Sequence, residues 1–257
     1  MQLNITTVSD RGCVREHNED MVLIGNDIFR EGTKEIMVDL NSENKKYFVA
    51  VADGMGGHNA GEIASEMVLR KINEKINGLE MNLTEKDLSS KISEWVKEIH
   101  SDILNEGKKD INKKGMGSTL IGALFYNNKI YYLNVGDSRM YRLRNGYLMQ
   151  ISKDHSLREI TGNKDIASNI ITNSFGGGEK IFVDFASAGS KIFNEDAFLL
   201  CSDGLSDELN DEEIEETLGN KKNAVDELLK KAKNKGGKDN ISIILVYLSG
   251  VENENNR

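Results

Sequence analysis

The chain has 257 residues, of which 38% are hydrophobic, and a formal net charge of −9. This length and hydrophobic content suffice for a large domain with its own core. An acidic chain without a basic cluster argues against nucleic acid or an anionic membrane as partners. It has two cysteines, no CxxC pair, no apolar leader and no membrane-spanning run, so we expect a cytoplasmic protein in a reducing compartment.

The N-terminal half predicts three strands and two helices. Apolar runs predict strands at 3–8, 21–24 and 47–52, with a polar turn or hairpin excursion over 26–46. After the glycine loop 54–57, apolar spacing predicts a helix that continues to Ile76. A second helix is expected to begin at Thr84, with Asp87 as a capping partner and Leu83 and Leu88 as a hydrophobic staple.

The C-terminal half predicts more strands, a flap and two helices. We expect a meander of strands at 117–126, 130–135 and 139–143, then further strands at 181–186, 197–201 and 241–248. The segment 153–178 is expected to be a flap with one or two short helices. Asn210 with Glu213 predicts the cap of a helix that stops at Gly219, and another helix follows near 224–232. We expect one domain over 1–249 and a polar tail over 250–257.

Strand blocks in this order alternate with helix pairs, not with single helices. That arrangement favours an α+β fold with a largely antiparallel sheet over a doubly wound fold.

One pattern occurs four times: an apolar strand with an aspartate and a glycine at one end. The aspartates are Asp53, Asp137, Asp203 and Asp239. Taken alone, Asp53-Gly54 after apolar residues favours a hairpin turn. If all four strand ends meet at one edge, however, the carboxylates repel one another unless cations neutralise them. Oxygen ligands without clustered Cys or His indicate a hard ion such as magnesium, manganese or calcium.

A charged segment near the N-terminus allows two interpretations. Arg15, Glu19 and Asp20 together are typical of a solvated loop. An arginine close to paired acids also suits a site for phosphate and metal, because its planar guanidinium matches a phosphoryl group with two parallel hydrogen bonds.

The motifs, taken in order, resemble the metal-dependent Ser/Thr protein phosphatase family, type 2C, in its bacterial form. The resemblance covers nearly the whole chain and rests on the following stretches: Arg15 with 18–20, 53–58 with 60–62 and 64–65, 117–119, 135–139, 154–156, 202–204 and 237–240. It implies a sandwich of two antiparallel β-sheets flanked by pairs of α-helices. It also implies hydrolysis of phosphoserine and phosphothreonine in proteins by a water activated at a dinuclear manganese or magnesium centre.

The resemblance also implies roles for individual residues. Asp53 would bridge the two metals and the carbonyl of Gly54 would bind one of them. Asp203 and Asp239 would complete the other site, and Glu19 and Asp20 would hold water ligands. Arg15 would clamp the substrate phosphate. Asp137, with Asp203, would bind a third ion. Phosphorylated proteins are the implied substrates, an opposing Ser/Thr kinase is an expected partner, and we expect a monomer.

Two departures from the family pattern concern the leaving group and the flap. Some family members place a histidine two residues after the bridging aspartate, where this chain has Met55. His17 and a metal-bound water are therefore the candidate proton donors. The 154–178 segment is shorter than the usual bacterial flap, and Asn173 stands where relatives often carry Arg.

Two other functions remain to be weighed. A regulatory or binding module that keeps the fold but has weak or no turnover would be expected to lack a metal-ligating aspartate, and this chain keeps them all. A calcium-binding acidic domain is disfavoured because the chain has no contiguous twelve-residue calcium loop.

Overall fold

The structure is a computed structural model that describes residues 1–41, 45–56, 60–163, 165–167, 170–220 and 222–251. The predicted positions of Gly57 and His58, and most of the polar tail, lie outside these ranges. Within them, no helix combines the length and apolar character that crossing a bilayer requires.

Two six-stranded sheets form the centre of the molecule. In chain order the strands are β1 Gln2–Asp10, β2 Met21–Ile24, β3 Asp27–Phe29, β4 Gly32–Asp39, β5 Lys46–Ala52, β6 Gly54–Met55, β7 Gly117–Ser118, β8 Leu120–Tyr126, β9 Lys129–Val135, β10 Arg139–Arg144, β11 Tyr147–Gln150, β12 Asp184–Ser187, β13 Ala197–Cys201 and β14 Ile241–Ser249. The first sheet has the strand order β11-β10-β13-β14-β1-β4 and the second β12-β9-β8-β5-β2-β3. The pairings within both sheets are antiparallel.

Helices cover the outer faces of both sheets. They are α1 Ala60–Asn77, α2 Glu85–Lys109, α3 Leu157–Thr161, α4 Asp203–Ser206, α5 Asp211–Gly219 and α6 Ala224–Asn234, with a 3-10 helix at Ile111–Lys113. The α1–α2 pair packs on the second sheet, and the α5–α6 pair packs on the first. This confirms the predicted α+β sandwich of two antiparallel sheets flanked by helix pairs.

β5 shows why the central strands are apolar without interruption. Its side chains alternate between two cores: Phe48, Ala50 and Ala52 face the α1–α2 pair, whereas Val49 and Val51 face the other sheet. Because both faces are covered, every position from 48 to 52 is buried. The apolar run therefore ends where the sheet ends, which is where the polar site residues begin.

Local capping and turn signals are confirmed. Thr84 caps α2 by accepting the backbone N–H of Asp87, and Asn210 with Glu213 forms a reciprocal capping box at α5. Asn127 and Asn128 both adopt positive φ in the β8–β9 turn, as a two-residue hairpin requires.

Several predicted elements differ from the structure. The proposed meander is wrong, because the chain crosses from the second sheet to the first between β9 and β10. The 26–46 excursion contains two strands, and one of them, β4, pairs along most of β1. The strand expected at 181–186 begins only at Asp184. By contrast, the flap agrees with the prediction of one or two short helices, since its described residues hold one, α3. The short helix α4 was not predicted, because four residues are too few to show a periodic pattern.

Candidate metal centre

Five carboxylates lie at one edge of the sandwich, which we call the acidic edge: Asp20, Asp53, Asp137, Asp203 and Asp239. The end of β5 lies beside the start of β2, which makes Asp53 and Asp20 neighbours. The end of β13 lies beside the start of β14, which does the same for Asp203 and Asp239. Asp137 follows β9, and Asp53 interacts electrostatically with the other four. The structure thus brings the four strand-end aspartates together and adds Asp20.

The charges of the acidic edge oppose one another in a buried place. Burial raises the pKa of Asp137 to about 8, and the repulsion of Asp203 adds to it. Burial likewise raises the pKa of Asp20 to about 7 and that of Asp203 to about 6. The pKa of Asp53 lies well above its ordinary value, first because of burial and then because of the four neighbouring carboxylates. A cation at this edge would relieve the repulsion.

Three oxygens of the acidic edge are buried without a hydrogen-bond partner: Oδ1 of Asp20, Oδ1 of Asp137 and Oδ1 of Asp203. A buried acceptor left unpaired is costly, so such an atom calls for an explanation such as a bound ion. Among the described residues, no group of three or more His, Cys, Asp or Glu side chains has the arrangement of a preformed metal site. The fit to a hard cation therefore rests on the all-oxygen donor set and on these three unpaired oxygens.

Arg15 lies at the rim of the acidic edge. Its Nη2 donates to Oδ2 of Asp239 at 2.6 Å, and this hydrogen bond is the main cause that raises the pKa of Arg15. Half of its side chain remains exposed, so the guanidinium faces both the acidic edge and solvent. Glu19 is set deeper, and its pKa is raised, mainly by burial. The structure therefore places both residues at the site, with Arg15 paired to a predicted metal ligand.

Asn240 holds the loop that carries Arg15 and Glu19. Its Oδ1 accepts the Glu19 backbone N–H at 2.8 Å, and its Nδ2 donates to the carbonyls of Arg11 and His17 at 3.0 and 2.9 Å. Because this buried amide bonds the loop at three points, it fixes the 11–19 segment against the start of β14. The sequence motif includes Asn240, but nothing in the pattern predicts that role.

Close backbone contact fixes the turn after β5. A Cβ at Gly54 would lie 2.2 Å from the Gly61 carbonyl oxygen and 2.6 Å from that of Glu19. A Cβ at Gly61 would lie 2.5 Å from Oε1 of Glu19. Only glycine fits at these two places, so the start of α1, the turn after Asp53 and Glu19 are held in direct contact.

Buried hydroxyl groups support the aspartates, and the sequence did not reveal their roles. Ser202 donates to Oδ2 of Asp20 at 2.7 Å. Thr119 Oγ1 accepts the backbone N–H of Asp53 at 3.0 Å and lies 2.8 Å from Oγ of Ser138. Ser and Thr at strand ends are too common for their spacing to single these out.

Met55 and His17, the two positions considered for protonation of the leaving group, are not buried in the acidic edge. Met55 lies in β6 and pairs with Gly117 of β7. His17 is 66% exposed, and its Nδ1 lies 3.8 Å from Oε1 of Glu62. His17 shares its loop with Arg15, which keeps it near the rim.

A cavity of about 770 Å³ adjoins the acidic edge. Its lining includes Asp203, Asp239 and Arg158 of α3. At the base of the same segment, Arg139 pairs with both carboxylate oxygens of Asp154. The flap thus borders the cavity beside the acidic edge.

The comparisons with known proteins decide the family. A family model described as protein phosphatase 2C matches residues 39–245. The chain belongs to the protein phosphatase 2C family. The serine/threonine phosphatase stp of Listeria monocytogenes serovar 1/2a is 34% identical over 251 residues, which is 93% of each chain.

Solved phosphatase structures share the fold. The serine/threonine phosphatase Stp1 from Staphylococcus aureus superposes with a TM-score of 0.80 at 27% identity, covering 96% of this chain and 95% of that one. The catalytic domain of PstP, solved in complex with two manganese ions, gives a TM-score of 0.72 at 31% identity, covering 95% and 98%. By family, this chain is a protein serine/threonine phosphatase of a metal-dependent class.

Proposed function

We propose that this phosphatase hydrolyses phosphoserine and phosphothreonine in proteins at a dinuclear manganese or magnesium centre held by the acidic edge. The observation that carries the proposal is the set of three buried, unpaired carboxylate oxygens on Asp20, Asp137 and Asp203. Repelling carboxylates are expensive to bury unless a cation offsets them.

The residues of the acidic edge would hold the ions. Asp53, which interacts electrostatically with all other members of the acidic edge, would be the ligand shared by two ions. The carbonyl of Gly54 would contribute to one of these sites, and Asp203 with Asp239 would complete the other. Glu19 and Asp20, which precede β2 in the chain, would bind through water. Asp137 with Asp203 would hold a third ion, whose charge would offset the repulsion that raises the pKa of Asp137.

The chain's own groups bind and orient the phosphoryl group. When bound, the metal ions supply Lewis acidity, which lowers the pKa of water and offsets charge on the phosphoryl oxygens. Arg15 donates N–H groups to those oxygens from the rim. No side chain bonds to phosphorus, and burial raises the pKa of the Cys201 thiol to about 12, so it is not a nucleophile. The leaving oxygen takes its proton from His17 or from water.

We assign residues 1–249 to one catalytic domain and 250–257 to a tail outside it, and we propose that the enzyme acts as a monomer in the cytoplasm. Both cysteines are free thiols, which fits a reducing compartment. An opposing Ser/Thr kinase is the partner that this activity calls for.

Phosphate release from a phosphothreonine peptide tests the proposal. We expect release with manganese or magnesium, none with chelator, and none from Asp53→Asn. Asp102→Asn is the matched control, because Asp102 pairs with Lys71 on the outer helix pair and should not affect turnover. No release from folded wild-type protein with either metal would favour a regulatory module that has lost turnover.

A further inference from the structure

His155 contacts the peptide unit that precedes Asp137. Its backbone N–H donates to the Gly136 carbonyl at 2.9 Å, and its ring Nδ1 accepts the Gly136 N–H at 3.1 Å. Gly136 has φ +113°, a region that favours glycine, and His155 is 5% exposed. The histidine therefore holds both polar groups of the residue that aims Asp137 at the acidic edge.

Asn173, from the base of the flap, fixes the protonation of this ring. The orientation of its amide follows from Phe182, whose N–H donates to Oδ1 at 3.2 Å and whose carbonyl accepts from Nδ2 at 2.9 Å. Nδ2 is thus the atom that lies 2.8 Å from Nδ1 of His155. Because an amide nitrogen only donates, Nδ1 must accept and carries no proton.

The opposite ring nitrogen completes the assignment. Nε2 of His155 lies 3.1 Å from Oδ2 of Asp184, at the start of β12. With Nδ1 accepting two hydrogen bonds, the neutral ring carries its proton on Nε2 and donates it to Asp184. A donor at Nδ1 would oppose the N–H groups of both Gly136 and Asn173.

The other side of the Asp137 turn is fixed to Asp53. Ser138 Oγ lies 2.8 Å from Oγ1 of Thr119, which accepts the Asp53 backbone N–H. Hydrogen bonds on both sides of the Asp137 turn, joined by the backbone from Gly136 to Ser138, therefore connect the flap base to Asp53.

We propose that His155, as the Nε2–H tautomer locked by Asn173 and Asp184, is a positioning residue that sets Asp137 for cation binding. The proposal rests on the metal site of the proposed function. In this arrangement the neutral His155 ring connects the base of the flap to Asp137, and Asn173 fixes the tautomer of that ring.

Ring NMR of the ¹⁵N-histidine-labelled, metal-free protein tests the tautomer without any substitution in the wild-type sample. The four histidines are assigned by single substitutions. We expect the His155 signal of an unprotonated Nδ1 and a protonated Nε2. A protonated Nδ1 would overturn the proposal, whether or not the protein hydrolyses phosphopeptides.

A matched pair of variants tests the positioning role. In His155→Asn an amide oxygen replaces Nδ1 and keeps the acceptor for Gly136, whereas His155→Gln keeps a polar atom near Nε2 and loses that acceptor. Both lose the contact between the His155 and Phe182 rings, whose centroids are 4.5 Å apart. We expect faster Gly136 amide exchange and about tenfold weaker binding of the weakest manganese ion in His155→Gln. His155→Asn should stay within about threefold of wild type.

The Asp137→Asn background separates positioning from general damage. There, His155→Gln should weaken manganese binding no further, because the ligand that it positions is gone. An equal loss in both backgrounds, or equal effects of the Asn and Gln variants, would refute the role of His155. Manganese binding without phosphate release from wild type would refute the proposed hydrolysis and leave the His155 proposal intact; wild type that binds no manganese would refute both.

Discussion

At the scale of single residues, we expect substitutions in the acidic edge to have opposite effects on phosphate release and on stability. Asp53→Asn and Asp239→Asn should each reduce phosphate release to background, because each removes an anionic ligand. The metal-free fold should survive, and Asp53→Asn should gain stability at neutral pH, since Asn does not ionise, whereas burial and the neighbouring carboxylates oppose the ionisation of Asp53 and raise its pKa. Phosphate release and thermal unfolding check both statements. Full activity in either variant would refute the ligand assignment.

Arg15 should act on substrate binding. Arg15→Ala should raise KM for a phosphopeptide about tenfold or more, since a charge-assisted hydrogen bond contributes about 1.5–3 kcal/mol. Steady-state kinetics measures it. Arg70→Ala on α1, where the guanidinium pairs with Glu66 of the same helix, serves as the control. An unchanged KM would remove Arg15 from the phosphate site.

At the scale of elements, the contact between the turn after β5 and α1 should be intolerant of added volume. Gly54→Ala should destabilise the protein by about 1–3 kcal/mol, because the new Cβ meets two backbone oxygens that cannot rotate away. Denaturant unfolding measures it. Gly219→Ala is the control: nothing lies within 4 Å of its added Cβ, and alanine is the better helix former. Equal stability of Gly54→Ala and wild type would contradict the close contact.

Elements with a local physical cause were predictable from the sequence. The apolar runs of β5, β13 and β14, the Asn210 cap of α5 and the Asn turns each follow from adjacent residues. The crossing from β9 to β10 was not predictable in this way, because β10 belongs to the first sheet through its pairing with β13, which is distant in the chain. The sequence predicted a meander, in which consecutive strands are neighbours in one sheet, and that prediction was therefore wrong.

The same distinction holds in the site. Aspartates after apolar strands were visible because a charge at the end of a buried run is unusual. Asn240, Ser202, Thr119 and His155 were not assigned roles, because each acts through contacts with residues far away in the chain, such as that between Ser202 and Asp20. Those roles depend on distances that no local pattern contains.

At the scale of the whole molecule, metal binding should be coupled to proton release. In the metal-free protein the pKa of Asp20 is about 7 and that of Asp137 about 8, so both carboxyls carry protons for much of the time at pH 6.5. Because metals bind the ionised form, manganese should expel more protons at about pH 6.5 than at about pH 9, and its affinity should rise with pH. Calorimetry in buffers of different ionisation enthalpy measures the release. A release that does not change with pH would contradict buried, protonated aspartates.

The central claim is that the strand ends of two sheets converge to hold a pair of metal ions bridged by Asp53. Electron paramagnetic resonance of the manganese-loaded protein tests it most directly, since two bridged manganese ions are magnetically coupled and separate ions are not. We expect a coupled spectrum from wild type and only single-ion signals from Asp53→Asn. Single-ion signals from fully loaded wild-type protein would contradict the bridged centre.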